Sequence, residues 1–154
     1  MNRVYSEGDW FAVPLRDRGF AVGVVARSMP HREGVILGYF YGPRRRRVPA
    51  MAELKGLTHS AAVLVERFGD LGLVSGDWPL IGRFGQWSRN SWPLPAFGRY
   101  EELTGRAFEV VYDENDPSKV VSEELIDKAG LAALPPDRLA GSGAIEIRLS
   151  RRLV

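Results

Sequence analysis

Residues 10–27, WFAVPLRDRGFAVGVVAR, are two strand-forming runs around a turn. The first run, 10–15, is short, apolar and rich in β-formers, and RDRG at 16–19 is polar and ends in glycine, as a hairpin loop requires. In the second run Phe20, Val22, Val24 and Ala26 fall on one side of a strand. Gly23 lies among small residues on the other side, where a sheet bends or a neighbour comes close. SMPHREG (28–34) reads as a loop and VILGYFYG (35–42) as a third strand, heavily aromatic and β-branched. Three antiparallel strands in a meander follow, and the glycines inside them predict strong curvature. The expected fold is mainly β, of the α+β kind: a curved antiparallel sheet or small half-open barrel with one or two short helices.

Downstream the signals weaken. PRRRRVPAMAELKGLTHS (43–60) breaks the strand pattern, with one helical turn expected in AMAELKG. AAVLVERFG (61–69) is read as a strand, because Gly69, Gly72 and Gly76 stop a helix quickly. WPLIGRF (78–84) is a short strand with Pro79 near its start, and 85–100 is irregular. RAFEVVYD (106–113) and KVVSEEL (119–125) flank a hairpin signal, ENDPS. A helix is expected over 124–135, ended by Pro135 and Pro136, and a final strand over 143–153, where Ile145, Ile147 and Leu149 alternate with polar residues. No linker divides the chain, so one domain over 1–154 is expected.

Composition narrows the functional classes. The 154 residues are 45% apolar, enough for a real core, and no apolar run reaches the ~20 residues of a membrane span. There is no cysteine, which removes disulfides, thiolate nucleophiles and cysteine-bound metals. MNRVYSEGDW lacks the apolar stretch of a secretory signal, so a reducing cytoplasm is the expected compartment. The net charge is only +2, yet residues 1–60 carry +5 and residues 106–142 carry −4. A charge divided in this way weakens a nucleic-acid reading based on overall basicity.

Catalytic patterns are sparse. A serine triad needs a histidine base, and only His31 and His59 exist, both in expected loops and without zinc-ligand spacing. GSGAIE at 141–146 is no phosphate loop, since no Gly-Lys-Ser/Thr follows. No cofactor and no metal are expected. Gly-Asp-Trp occurs twice, at 8–10 and 76–78, and Asp70 with Asp77 forms the one carboxylate pair that merits a glycosidase reading. Turn-closing aspartates beside strand-anchoring tryptophans explain both stretches better.

Two other features point to binding. Arg44, Arg45, Arg46 and Arg47 form a basic run that suits either nucleic acid beside aromatic strands or carboxylates on a protein partner. QWSRNSW carries Trp87, Arg89 and Trp92, the residue types that most often anchor interfaces. Trp10 and Trp78, each entering a strand, are expected in the core. If QWSRNSW is an interface, replacing Trp87 or Arg89 by alanine weakens partner binding more than it lowers the melting temperature.

YSEGDWFAVPL, FAVGVVAR, GVILGYFYG, RFGDLGLVSGDWPLIG and WPLPAFGRY, in that order, resemble the immunity protein 26 family of bacterial polymorphic toxin systems. The resemblance covers about residues 5–100. It implies a mainly β cytoplasmic protein that binds a cognate toxin domain and blocks it without catalysis. The partner surface expected on this basis draws on Arg44–Arg47, Asp70, Trp87, Arg89 and Trp92. The other reading is a small β-barrel that binds nucleic acid through Arg44–Arg47 and the aromatic residues.

Overall fold

A computed structural model of the chain describes residues 4–29 and 34–154. His31 lies outside the described residues. Among the described residues nine strands form two sheets. The larger has the order β5-β1-β2-β3-β4-β9, from β1 (Trp10–Pro14), β2 (Phe20–Arg27), β3 (Val35–Arg45), β4 (Leu64–Gly69), β5 (Leu80–Gly82) and β9 (Leu139–Ala140). The smaller has the order β6-β7-β8, from β6 (Phe97–Glu101), β7 (Arg106–Asp113) and β8 (Asp116–Ile126). Short helices α1 (Leu71–Ser75), α2 (Lys128–Ala132) and α3 (Ser142–Arg152) complete the fold. The β1-β2-β3 meander is antiparallel throughout, so the mainly β reading stands.

The large sheet is covered on both faces, which is why both parities of its central strands are apolar. Phe11, Val25, Phe40 and Phe68 face one core with Trp78 and with Ile145 and Leu149 of α3. Trp10, Val22, Val24, Leu37, Tyr39 and Tyr41 face the other, closed by Phe97, Val110 and Tyr112 of the small sheet. Gly23 marks a close approach. It pairs with Phe11 on one side and Phe40 on the other, and the two rings meet over it edge to face at 5.8 Å. A Cβ there would lie 2.6 Å from the Phe11 ring, so the glycine leaves room for the aromatic core.

Several expectations give way to tertiary context. Residues 143–153 are not a strand but most of α3: Ile145 and Leu149, four apart, share the buried side, while Ile147 is 37% exposed. The helix expected over 124–135 shrinks to α2, because β8 runs on to Ile126 and Asp127 then accepts a bond from the Gly130 amide to start the turn. The strand expected over 61–69 is β4, but a short helix does follow it: α1 carries Gly72 within it and ends at Gly76 with φ 85°. The arginine run is not wholly loop either, since β3 continues through Arg45, which pairs with Phe20.

The interior also carries charge. Consecutive residues Glu66 and Arg67 of β4 point to opposite faces, as strand geometry dictates, and each ties the sheet to a different layer. Glu66, 1% exposed, takes both Arg148 of α3, at 2.6 and 2.7 Å, and Arg138. Arg67 reaches the small sheet, donating to the Pro117 carbonyl at 3.0 Å and to Asp137 at 3.2 Å.

Candidate partner interface

The residues singled out in the sequence fall into three separate places. Arg44 lies at the end of β3 and is largely engaged: its guanidinium reaches the carbonyls of Leu153 at 2.6 Å and Ser150 at 3.0 Å, and pairs with Asp17. That hydrogen bond holds the Asp17 carboxyl below its ordinary range. Arg44 therefore fastens the end of α3 to the β1–β2 hairpin. Arg45, half-buried, and the exposed Arg46 line a pocket of about 410 Å³ with Arg18, Gly19 and Arg44. Among the described residues Arg45 has a buried Nε with no acceptor. Arg47 is exposed beside it.

Asp70 is turned inward. It accepts from the Tyr5 hydroxyl at 2.6 Å and the Gly34 amide at 2.8 Å, tying the residues before β1 to the start of α1. Asp77 is exposed beyond α1. Asp9 accepts from the Ser6 amide at 2.7 Å and pairs with Arg83 at 2.9 Å, the turn-closing role expected of it. His59 sits exposed on a single 3₁₀ turn.

The irregular segment 84–96 lies across the face of the large sheet that the small sheet also covers. Trp87 and Trp92 stack at 5.0 Å with an 18° interplanar angle, and Trp92 meets Trp10 edge-on at 6.1 Å. Trp92 donates its indole N–H to the Tyr41 hydroxyl at 2.9 Å, and Tyr41 donates to the Thr58 carbonyl at 2.8 Å. Trp87 sits against Gly8, whose φ of 95° favours glycine and where a Cβ would lie a tight 3.0 Å from the indole. Arg89 bonds Glu7 at 2.8 Å and the Glu114 carbonyl at 2.8 Å. Beneath it the buried Arg27 pairs with Glu114 and donates to the Trp92 carbonyl at 2.9 Å. These contacts clamp the segment between the N-terminal turn and the β7–β8 hairpin.

Three tyrosines near these layers are held neutral. Burial pushes the phenols of Tyr39, Tyr41 and Tyr112 up to about 12, helped at Tyr39 by the neighbouring Tyr41 and at Tyr112 by its hydrogen bond to Asp137. The unfolded phenol titrates near 10. Their contribution to stability is therefore complete below pH 10 and disappears as the pH rises through about 12. In a titration followed by phenolate absorbance and circular dichroism, these groups should ionise late and together with loss of structure. Ordinary ionisation near pH 10 in an intact fold would contradict this arrangement.

The small sheet and its turns carry a marked acidic excess. Residues 97–127 contain nine Asp/Glu against three Arg/Lys, a net −6 within a chain of +2. Its outer strand β8 is exposed at every residue from 118 to 125. Two features of the sequence point to it, the hairpin pattern over 106–125 and the acidic balance of 106–142.

Among the described residues no group of three or more His, Asp or Glu is placed to hold a metal ion, and no helix is long and apolar enough to cross a membrane. No curated protein and no solved structure matches the chain. The immunity protein 26 family matches residues 6–109, which span β1 through the first half of β7 and include both stacked tryptophans, Arg89 and the arginine run. The chain belongs to the immunity protein 26 family, the immunity proteins of toxin systems.

Proposed function

We propose that this protein neutralises a toxin domain of its own system by binding it and covering its reactive surface, without chemistry of its own. Family membership carries the reading. The layout of the polar groups supports it. Glu66, Arg67, Asp70 and Arg89, the residue types from which a reacting site would be built, each hold one layer of the fold to another. A scaffold braced in this way suits docking with little backbone change. Of the charged residues singled out in the sequence as partner contacts, Arg45, Arg46 and Arg47 are the ones with neither an ion pair nor a side-chain hydrogen bond among the described residues. Arg44, Asp70, Arg89 and Trp92 already have internal partners.

The test is co-expression with the toxin domain encoded beside this gene. Cells should survive, and the purified pair should form a stoichiometric complex with a Kd on the order of nanomolar. Absence of both rescue and complex overturns the reading.

A second reading is favoured by one observation, the pocket where Arg18, Arg45 and Arg46 stand without carboxylate partners. A phosphate backbone would fit those donors. That reading requires salt-dependent binding of DNA or RNA that is lost when Arg45 and Arg46 become alanine. No binding at low salt removes it.

A further inference from the structure

We propose that the open edge of β8, with the sheet face that carries Glu109 and Glu124, is the toxin-facing surface and pairs with a basic, extended strand of the toxin domain. This rests on the reading of the protein as a binding inhibitor and adds where it binds and what it binds.

The first observation is the edge itself. β8 is eleven residues long and is the outermost strand in the order β6-β7-β8. It pairs with β7 along one side, and residues 118–125 are exposed without interruption. Such an edge presents a row of main-chain donors and acceptors to any extended segment that approaches. Natural sheets usually cover an edge of this length or interrupt it with proline. Here the strand's proline, Pro117, stands at its second residue, ahead of the exposed run, and the register with β7 shifts at two steps, Val111–Tyr112 and Tyr112–Asp113, leaving 122–126 in regular pairing. Val120, Val121 and Leu125 are 44%, 52% and 64% exposed, so the strand offers apolar contact as well as hydrogen bonds.

The second observation is charge. The −6 of residues 97–127 is concentrated in this sheet. Glu109 and Glu124 are direct cross-strand partners, in a row with Gly98, on the face turned away from the large sheet; α2 packs over the Gly98 end of that row, and Glu124 at the β8 end is exposed. Like charges placed opposite one another weaken a sheet. Glu123, on the other face of β8, has Arg99 at 3.3 Å, whereas Glu109 and Glu124 have no ion pair among the described residues. Tyr100, 51% exposed, stands on the same face as the glutamate pair. An arginine or lysine of an incoming strand would neutralise that pair, and the tyrosine ring offers its stem a flat apolar contact. Strand addition supplies affinity through the main chain, and the side-chain pattern supplies selectivity. Acidic charge on this scale also speeds encounter with a basic partner.

The occupant is therefore basic and extended. The charge disfavours nucleic acid at this surface. A second copy of the chain is also disfavoured, because it would set one acidic sheet beside another.

The experiment uses the full chain and the adjacent-gene toxin domain made catalytically inactive. Glu124→Lys should weaken the complex about a hundredfold. In the free protein the same change should leave the melting temperature unchanged or raise it by about 2 °C, because it turns a repulsive cross-strand pair into an attractive one. A merely structural role for Glu124 would move both quantities downward. Hydrogen exchange should show amides within 119–125 protected in the complex and unprotected in the free chain. A complex whose affinity is unaffected by Glu109→Lys and Glu124→Lys overturns the surface while leaving the inhibitor reading intact. So does one whose loss follows Arg45→Glu and Arg46→Glu instead. A free chain that sediments as a dimer with these amides already protected assigns the edge to a second copy and overturns the proposal. If wild-type protein forms no complex at all, the inhibitor reading itself fails.

Discussion

Replacing Trp78 with alanine is expected to lower the stability of the protein by about 4 kcal/mol, a loss of the size measured when large aromatic residues are deleted from well-packed cores. Trp78 is 1% exposed. Its ring stacks on Phe11 at 5.6 Å and 14°, tilts against Phe68 at 5.6 Å, and meets Phe40 edge-on at 6.3 Å. It also contacts α1 closely: a Cβ on Gly72 would come within 2.7 Å of the indole. Its N–H donates to Glu146 of α3 at 2.8 Å. The cavity left by alanine would therefore open between three elements that cannot all collapse inward. Denaturant unfolding measures the effect, and a melting-temperature drop of about 10 °C should accompany it. Trp78→Phe should recover most of the packing and lose the Glu146 bond, giving an intermediate stability. A loss below 1.5 kcal/mol for the alanine variant would show that the core relaxes around the site (roughly the bound for a well-accommodated core change).

The second large effect is expected at Arg67. Its side chain is 8% exposed and lies over the Tyr112 ring, with Cζ 3.7 Å from the centroid. Its partner Asp137 is 12% exposed and also accepts from the Tyr112 hydroxyl. Arg67→Ala removes the cation and leaves that carboxylate inside with one donor, so a loss of about 3–5 kcal/mol is expected. The cost lies mainly in the stranded charge rather than in a lost attraction. Arg67→Met combined with Asp137→Asn should therefore be markedly more stable than Arg67→Met alone. Equal stabilities for the two would mean that the ion pair is not what holds the small sheet to the large one.

How much of this was legible in the residues differs from element to element. The meander was, because the runs at 10–15, 20–27 and 35–42 are set apart by turn residues and each is rich in strand formers. The β7–β8 hairpin was legible for the same reason. α3 was not: over eleven residues Ile145, Ile147 and Leu149 satisfy a two-residue alternation, and only docking against Phe68 and Trp78 shows that Ile147 belongs outside. The partner residues proved harder still. Arginine and tryptophan are the common anchors of interfaces, but the same properties let Arg44, Arg89 and Trp92 clamp the fold from within.

By itself the sequence determined the β1–β3 meander, the β7–β8 hairpin, the lack of thiol chemistry and the family pattern, because each depends on residues near one another in the chain. Tertiary structure alone decided which charged groups are engaged and which remain at the surface. Glu66 and Arg67 are neighbours in β4, yet their charged partners lie about seventy residues or more away, on opposite faces of one sheet. Glu109 and Glu124, fifteen positions apart, oppose each other only because the β7–β8 hairpin folds with one particular register. Register follows from how the apolar pattern of both strands and the turn between them fit the large sheet together, and the composition of either strand alone does not fix it.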